Sequence, residues 1–373
     1  MKPTESAAEH AAELHRQAIV IDCHSDILMP IADGYVRLGQ QVKVPDPDQW
    51  RPPFPMPPKP SEYTPWPRGD RFGCIGQYSL PQFLKGGLTA QVCAIFVEDE
   101  QLNGALRRAL EMVWWLYREV EENEDFELVT SVGDIHRLKR EGKCGGIMAL
   151  EALEPVGYDL KMLDIFYALG LRMACLTHNR RNYYADGTQH NIKTGGLTGP
   201  GKEAVRRMNE LGIVVDVGHL NQVGFWDTLE IATEPVVLSH RSPRKYFPLK
   251  PEDSPFHPSY DVSRGRERLE ALAANGGVFG VFLLAAKDVD DVVDDIEHVI
   301  DLVGPDHVGL GSDLYGLHAA PKGLEDISKV PAITECMVRR GHSDEVILKV
   351  LGGNFVRVFE QVWREGNSVV NRL

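Results

Sequence analysis

The stretch QAIVIDCHSDILMP, residues 17–30, runs from apolar and β-branched residues into a His-Ser-Asp tripeptide and stops at a proline. Its first part, Ala18 to Ile21, is typical of a buried strand. Because side chains two positions apart on a strand point to the same side, His24 and Asp26 are expected to converge where the strand ends. The stretch therefore predicts a buried strand with two candidate metal ligands at its carboxyl end.

A second His-Ser-Asp, at residues 342–344, stands in a different context. The residues from Asp344 to Leu351 have the i, i+3, i+4 apolar spacing of a helix. Ser343 or Asp344 is a good N-cap for that helix, because side-chain oxygens there accept hydrogen bonds from otherwise unpaired N–H groups. Helix capping explains this copy, so only the first one is a candidate site.

Further short apolar runs follow the first, and amphipathic helical patterns lie between them. This alternation is typical of βα units around a parallel sheet. Eight such units in a chain of 373 residues predict an α/β fold, a (β/α)8 TIM-type barrel, and we expect one domain over residues 1–373. The strands are expected at residues 18–26, 88–97, 145–154, 171–179, 212–220, 235–240, 276–284 and 306–314.

One segment breaks the alternation. Residues 30–75 contain the run VPDPDQWRPPFPMPPKPSEYTPWP, which is too proline-rich for a helix or a central strand. Because it follows the first strand, it is expected to be a loop insertion on the carboxyl face of the barrel. A disordered linker and a partly ordered lid are the two interpretations, and the aromatic residues of the run favour the lid: Trp50, Phe54, Tyr63 and Trp66.

The charge of the chain limits its partners. The formal net charge is −14, and Lys and Arg form no block beyond short pairs, so nucleic acid and anionic membranes are excluded and a small molecule is expected. The sequence has neither an N-terminal apolar signal region nor the ~20-residue apolar run of a membrane span. The six cysteines are scattered without a CxxC spacing, as expected for buried reduced thiols. We therefore expect a cytoplasmic protein.

Ligand-type side chains directly follow most of the predicted strands. In a barrel the carboxyl ends of all strands face one mouth, so residues far apart in the sequence meet in one site. These ligand-type residues are more numerous than one four-coordinate zinc ion needs, and this favours two metal ions with a carboxylate between them. Imidazole and carboxylate without thiolate suit zinc, and ligand type also allows manganese, cobalt or iron. The residues are His24, Asp26, Glu151, His178, His219, His240 and Asp313.

These segments, in this order, resemble the membrane (renal) dipeptidase family of binuclear zinc peptidases, which have an amidohydrolase-like barrel. The similarity covers most of residues 18–362 and includes IDCHSDIL, LTHNRRN, VVDVGHL, VVLSHRSPR and DHVGLGSDLYG. It implies a hydrolase with two Zn²⁺ per chain that cleaves dipeptides or closely related small amides by a metal-bridging hydroxide. The implied roles are His24 and Asp26 on one zinc, His219 and His240 on the other, Glu151 between them and active in catalysis, His178 facing the substrate, and Asp313 as acid/base.

The match departs from the family around the substrate. The family has an arginine after a His-Pro that follows the sixth strand, where it binds the substrate carboxylate, and this chain has Ser259 and Tyr260 there. Arg264 or Arg244 would have to replace it. Tyr315 stands where the family tends to have an aspartate. The substrate-binding residues expected from the match are His178, Tyr260, Arg264, Arg244 and Tyr315.

Two alternative functions stay open beside the dipeptidase interpretation. The first is the same two-metal mechanism on an N-acyl amino acid, a lactone or a biosynthetic conjugate, and the missing arginine favours it. The second is a catalytically silent binding protein that keeps the fold. The intact set of ligand-type residues argues against this second alternative.

Two further motifs are interpreted as structural. GLTGPGKE, from Gly196, nearly spells a phosphate-binding loop, but Glu203 replaces the magnesium-binding hydroxyl and no strand leads into it. We interpret it as the glycine-rich start of a helix. VWWLYREV is a helical aromatic stripe whose two adjacent tryptophans cannot both face inward, and one of them would mark a contact in a homodimer.

Overall fold

The computed structural model describes residues 5–42, 76–188, 195–243, 265–283, 286–316 and 320–364. Within these ranges a 9-stranded sheet is the centre of the fold. Its strands are β1 (Ile21–Asp22), β2 (Ala90–Phe96), β3 (Phe126–Leu128), β4 (Cys144–Glu151), β5 (Leu171–Cys175), β6 (Val214–Asp216), β7 (Val237–Arg241), β8 (Val278–Val281) and β9 (Val308–Leu310).

The sheet closes into a parallel barrel. Neighbouring strands follow the order β2-β1-β9-β8-β7-β6-β5-β4, and β4 pairs back with β2 in parallel. The short strand β3 pairs only with the first residues of β4, before the pairing of β4 with β5 begins at Met148. The predicted (β/α)8 barrel is confirmed, each predicted strand region contains one barrel strand, and β3 is an addition that the sequence did not indicate.

Helices lie between the strands and cover the barrel. They are α1 (Glu5–Gln17), α2 (Leu28–Ala32), α3 (Leu80–Lys85), α4 (Ala105–Glu122), α5 (Val132–Glu141), α6 (Lys161–Ala168), α7 (Gly199–Leu211), α8 (Gln222–Ile231), α9 (Gly265–Ala274), α10 (Val289–Val303), α11 (Pro331–Arg340), α12 (Asp344–Leu348) and α13 (Asn354–Val362). Buried apolar residues recur at helical spacing in the longer helices, as Ala109, Met112 and Leu116 do in α4, so each of these helices buries one face.

The inside of the barrel is apolar at its amino end. Alternate strand residues such as Ile147 and Val214 point inward, and they form one buried cluster with Phe355, Phe359 and Trp363 from α13 and its end. The rings of Phe359 and Trp363 stack with centroids 4.3 Å apart. Because α13 fills the amino end with apolar side chains, polar side chains of the strands gather at the opposite, carboxyl end.

Several local predictions are confirmed by the structure. Ser343 caps α12 by accepting a hydrogen bond from the Val346 N–H. Thr198 caps α7 at the glycine-rich motif. In α4, Trp114 is 54% exposed, whereas Trp115 packs beneath the Arg37 guanidinium. The adjacent tryptophans therefore face different surroundings.

The lid and the single domain both stay predictions. Most of the proline-rich insertion, residues 43–75, lies outside the described residues, so the lid stays a prediction, and so does a single domain over residues 1–373. None of the helices in the described ranges combines the length and the apolar composition that a membrane crossing requires.

Candidate metal centre

The predicted ligands lie at the carboxyl end of the barrel. Glu151 is the last residue of β4, and His240 lies in β7. His24, His219 and Asp313 follow β1, β6 and β9 within three residues. The barrel therefore brings together side chains that are far apart in the sequence, because all of its strands end at the same mouth.

Histidines surround the carboxylate of Glu151. Its Oε1 lies 3.1 Å from His219 Nε2 and 4.0 Å from His240 Nε2. Its Oε2 lies 3.5 Å from His24 Nε2, which is in turn 4.0 Å from Asp26 Oδ1. The two oxygens of Glu151 thus face two groups of ligand atoms, one from β1 and one from β6 and β7.

Asp313 lies beside the same cluster. One carboxylate oxygen of Asp313, one ring nitrogen of His24 and one ring nitrogen of His240 all lie within 4.8 Å of one another. The Asp313 carboxylate accepts a hydrogen bond from the Gly316 N–H at 3.1 Å. The position is close to the ligand groups, and the side chain is buried.

Hydrogen bonds orient the rings of His219 and His240 at the centre. The amide oxygen of Asn179 lies 3.0 Å from His219 Nδ1 and can only accept, so this Nδ1 carries the proton and Nε2 carries a lone pair. Ser239 Oγ lies 2.8 Å from His240 Nδ1, and because a hydroxyl both donates and accepts, this contact orients the ring in either tautomer. The two Nε2 atoms lie 2.9 Å apart beside the Glu151 carboxylate. Imidazole nitrogens that face a carboxylate in this way can bind a divalent cation.

The residues that follow β1, His24 and Asp26, also offer atoms that could bind a metal ion. His24 Nε2 and Asp26 Oδ1 are both buried, and neither has a hydrogen-bond partner among the described residues. A buried polar atom without a partner costs roughly 1–3 kcal/mol. Imidazole nitrogens and carboxylate oxygens that converge in this way are a ligand set for divalent cations such as zinc. The residues present therefore fit the binding of divalent metal.

Burial and mutual charge move the pKa values of the acids apart. Burial raises the pKa of Asp313 to about 7, against a lowering by His24. Burial also raises the pKa of Asp26 well above its ordinary value, and the charge of Glu151 adds to this rise. Burial alone would raise the pKa of Glu151, but His24 and His219 lower it well below its ordinary value. Carboxyl groups with opposed shifts in one cleft are typical of active sites.

His178 lies next to the ligand groups and not within them. Burial, with the nearby His219, lowers the pKa of His178 to about 3, so its ring is neutral at ordinary pH. The ring lies edge-on to Phe96 at 4.6 Å, and Asn179 Nδ2 lies 3.3 Å from its Nε2. A neutral imidazole at this position can donate a hydrogen bond to a substrate oxygen.

The backbone is strained at the centre. Among the described non-glycine residues, His219 (φ 59°), Asp313 (φ 47°) and Ala152, directly after Glu151 (φ 94°), have positive φ. Such conformations cost of order 1–3 kcal/mol each and persist where the surroundings hold them. Near His219 the support comes from buried Asp216, whose carboxylate accepts hydrogen bonds from the Gly218 N–H at 2.8 Å and the Cys175 thiol at 2.9 Å.

A model of the membrane dipeptidase family, peptidase family M19, matches residues 8–371 of this chain. The chain belongs to this family. Among its relatives, the dipeptidase tcpJ of Claviceps purpurea (strain 20.1) is 31% identical over 306 residues, which cover 77% of this chain and 69% of that protein. The dipeptidase verJ of Clonostachys rogersoniana is 32% identical over 275 residues, covering 72% and 68%.

Solved structures share the fold. A metallopeptidase from Rhodobacter sphaeroides, liganded with a phosphinate mimic of the dipeptide L-Ala-D-Ala, superposes with a TM-score of 0.73 at 23% identity, covering 93% of this chain and 99% of that one. An amidohydrolase from Pseudomonas aeruginosa gives 0.71 at 24% identity, covering 95% and 99%. At these identities the likeness shows the fold alone.

Membership of the M19 family confirms the resemblance seen in the sequence and makes the chain a hydrolase of the metal-dependent dipeptidase class. The other interpretations, a different substrate class or a silent binding protein, are not favoured by these relatives. Of the predicted substrate-binding residues, Tyr315 is buried with its ring edge-on to Tyr78 at 4.8 Å. Three others of this set lie outside the described residues, Arg244, Tyr260 and Arg264, and so does Ser259.

Sequence reasoning missed the residues that support the ligands. Asn179 links the rings of His178 and His219, and Ser239 holds the ring of His240. Partners of this kind orient metal ligands and set their tautomers. Each is the chain neighbour of a predicted site residue, and this position is the signal in the sequence that indicates them.

Proposed function

We propose that this M19 chain is a two-metal dipeptidase in which His24, Asp26 and Glu151 hold one divalent ion and Glu151, His219 and His240 hold the other. The observation that supports this most is the position of the Glu151 carboxylate, whose two oxygens face two separate groups of ligand atoms. The Nε2 atoms of His219 and His240, 2.9 Å apart beside the same carboxylate, support it further.

Two divalent ions bound there would supply a hydroxide at neutral pH and would polarise the scissile carbonyl. Asp313 takes a proton from the attacking nucleophile and gives it to the leaving amine, a transfer typically worth ~10²–10⁴-fold in rate. The position of Asp313 suits that role, because its carboxylate lies beside the ring nitrogens of His24 and His240.

His178 stabilises the oxyanion in this proposal. Its neutral ring donates an N–H to the oxygen on which negative charge develops, and a fixed donor of this kind acts without reorganisation during the reaction. Asn179 holds the rings of His178 and His219 in their relative orientation.

Zinc as the native metal, a cytoplasmic location and a homodimer belong to the same proposal. Nitrogen and oxygen ligands without thiolate suit zinc. The described cysteines are free and buried, which suits a reducing compartment.

A turnover screen of the zinc-loaded protein tests the proposal. L,L-dipeptides, L,D-dipeptides, N-acyl amino acids and lactones are offered at equal concentration, with the chelated and the reloaded protein as matched controls. We expect the highest kcat/KM for a dipeptide, its loss on chelation and its recovery on reloading. Turnover confined to N-acyl amino acids or lactones, or dipeptide turnover that survives complete removal of metal, would contradict the proposal.

A further inference from the structure

The loop that carries Asp313 is held by groups that the proposed mechanism does not use. Asp313 has a left-handed backbone, φ 47°, which an aspartate keeps only when its surroundings hold it. Its own N–H donates to the carbonyl oxygen of His24 at 3.3 Å. Its carboxylate packs over Gly316, where an added Cβ would lie 2.4 Å from Asp313 Oδ2.

The residues on both sides of Asp313 are bound by buried side chains. The Ser312 N–H donates to Asp22 Oδ1 at 2.7 Å. The Leu314 N–H donates to the hydroxyl oxygen of Tyr78 at 2.8 Å. Three consecutive N–H groups of this loop are therefore hydrogen-bonded to groups outside the loop, and Tyr78 reaches it from the segment before α3.

The three side chains form one chain of hydrogen bonds. Ser312 Oγ donates to Asp22 Oδ2 at 2.6 Å, and Tyr78 Oη lies 2.8 Å from Ser312 Oγ. Because the serine proton goes to the carboxylate, the tyrosine hydroxyl donates to the serine oxygen and accepts from Leu314. All three side chains are buried, with exposed fractions of 1% for Asp22, 2% for Tyr78 and 4% for Ser312. A buried, fully satisfied network of this kind fixes geometry.

We propose that Tyr78, Ser312 and Asp22 are positioning residues that hold the Asp313 carboxylate at the metal centre, an inference that rests on the acid/base role proposed for Asp313. Without the Tyr78 hydroxyl, the buried Leu314 N–H loses its acceptor and the loop relaxes toward an ordinary φ. The Asp313 carboxylate then leaves its position. Because Tyr78 Oη also lies 3.5 Å from the His24 carbonyl oxygen, the metal content of a Tyr78 variant is measured beside its kcat.

Tyr78→Phe is the direct test, because it removes one oxygen and keeps the ring. We expect kcat for a dipeptide to fall roughly tenfold or more, the size of effect that the loss of one buried hydrogen bond produces. KM and the metal content are expected to stay unchanged. Tyr167→Phe is the matched control, since the hydroxyl of Tyr167 donates to the Arg364 carbonyl at 3.4 Å, away from the centre. This control should leave kcat unchanged.

A double-mutant cycle separates positioning from stability alone. If Tyr78 acts through Asp313, Tyr78→Phe causes no further loss of kcat in an Asp313→Asn background. A wild-type kcat in Tyr78→Phe, or a loss of equal size in both backgrounds, overturns the positioning role. A wild-type kcat in Asp313→Asn would instead overturn the acid/base role itself. Ser312→Ala is the second variant, with the same expected non-additivity, if Tyr78→Phe does not fold.

Discussion

Glu151 is the residue on which the proposed centre depends. It is the last residue of β4 and the only carboxylate of the described cluster whose oxygens face both histidine groups. Its pKa lies well below the ordinary value because His24 and His219 outweigh the effect of burial. Burial raises the pKa of Asp313 nearby. In the proposed mechanism the two carboxyl groups have separate tasks, since Glu151 binds cations and Asp313 moves a proton.

Asp313→Asn is expected to keep both metal ions and to lower kcat by ~10²–10⁴-fold, because an amide cannot accept a proton. Steady-state kinetics with a dipeptide and elemental analysis of the same sample measure both quantities. Asp301→Asn, an exposed change on α10, serves as the control and should behave as wild type. A wild-type kcat in Asp313→Asn would mean that another group transfers the proton.

The chain is expected to prefer a dipeptide over its C-terminal amide only weakly. The sequence places Ser259 and Tyr260 where the family has the carboxylate-binding arginine, and losing such a charged pair typically costs ~2–5 kcal/mol. Comparing kcat/KM for the two substrates measures the preference. A preference for the free acid above about 30-fold, roughly 2 kcal/mol, that disappears in Arg264→Ala or Arg244→Ala would contradict this expectation. It would show that Arg264 or Arg244 binds the substrate carboxylate in place of the family's arginine.

The clustering of the proposed ligands could be predicted from the sequence because each stands where a strand pattern ends. Their partners could not, because an amide such as Asn179 or a hydroxyl such as that of Tyr78 is common in loops and has no periodic pattern. Tyr78 reaches Ser312 only after the barrel closes, and a contact across 234 positions is a property of the fold.

Strand β7 is placed by the glycines of its neighbours. A Cβ added at Gly280 in β8 would lie 1.8 Å from the carbonyl oxygen of Ser239, and one added at Gly311, just after β9, would lie 1.9 Å from the same atom. Ser239 precedes His240 and binds its ring. The close approach of these strand ends therefore fixes the position of His240, a proposed metal ligand, and only glycine allows it.

Gly280→Ala is expected to lower the free energy of unfolding by at least ~1–3 kcal/mol, the usual cost of overpacking, because backbone atoms cannot yield as a flexible side chain can. Urea unfolding followed by circular dichroism measures it. Gly104→Ala is the matched control, since nothing lies within 4 Å of its added Cβ, and its effect should stay within about 0.5 kcal/mol. Equal stabilities for the two variants would refute the close-packing argument.

The elements themselves were predictable to different degrees. Barrel strands and their helices follow from apolar periodicity, which the long patterns of α4 and α10 show clearly. β3, with only Phe126 to Leu128, is too short for a period-two pattern and exists because the first residues of β4 have a free edge there.

The whole molecule separates an apolar end from a polar one. α13 fills the amino end of the barrel, and the acidic and histidine side chains gather at the other end. A net charge of −14 and a cluster of buried carboxylates would both favour the binding of cations. Metal binding to this centre is therefore the step on which the proposed activity depends.

The number of metal ions per chain tests this account most directly. The protein is loaded with zinc, freed of excess metal and measured by elemental analysis against protein concentration, together with its dipeptidase activity. We predict two ions in the wild type, the loss of one in His219→Ala or His240→Ala, and two in His10→Ala, a change at an exposed histidine of α1. A fully active wild type that holds at most one ion per chain would contradict it.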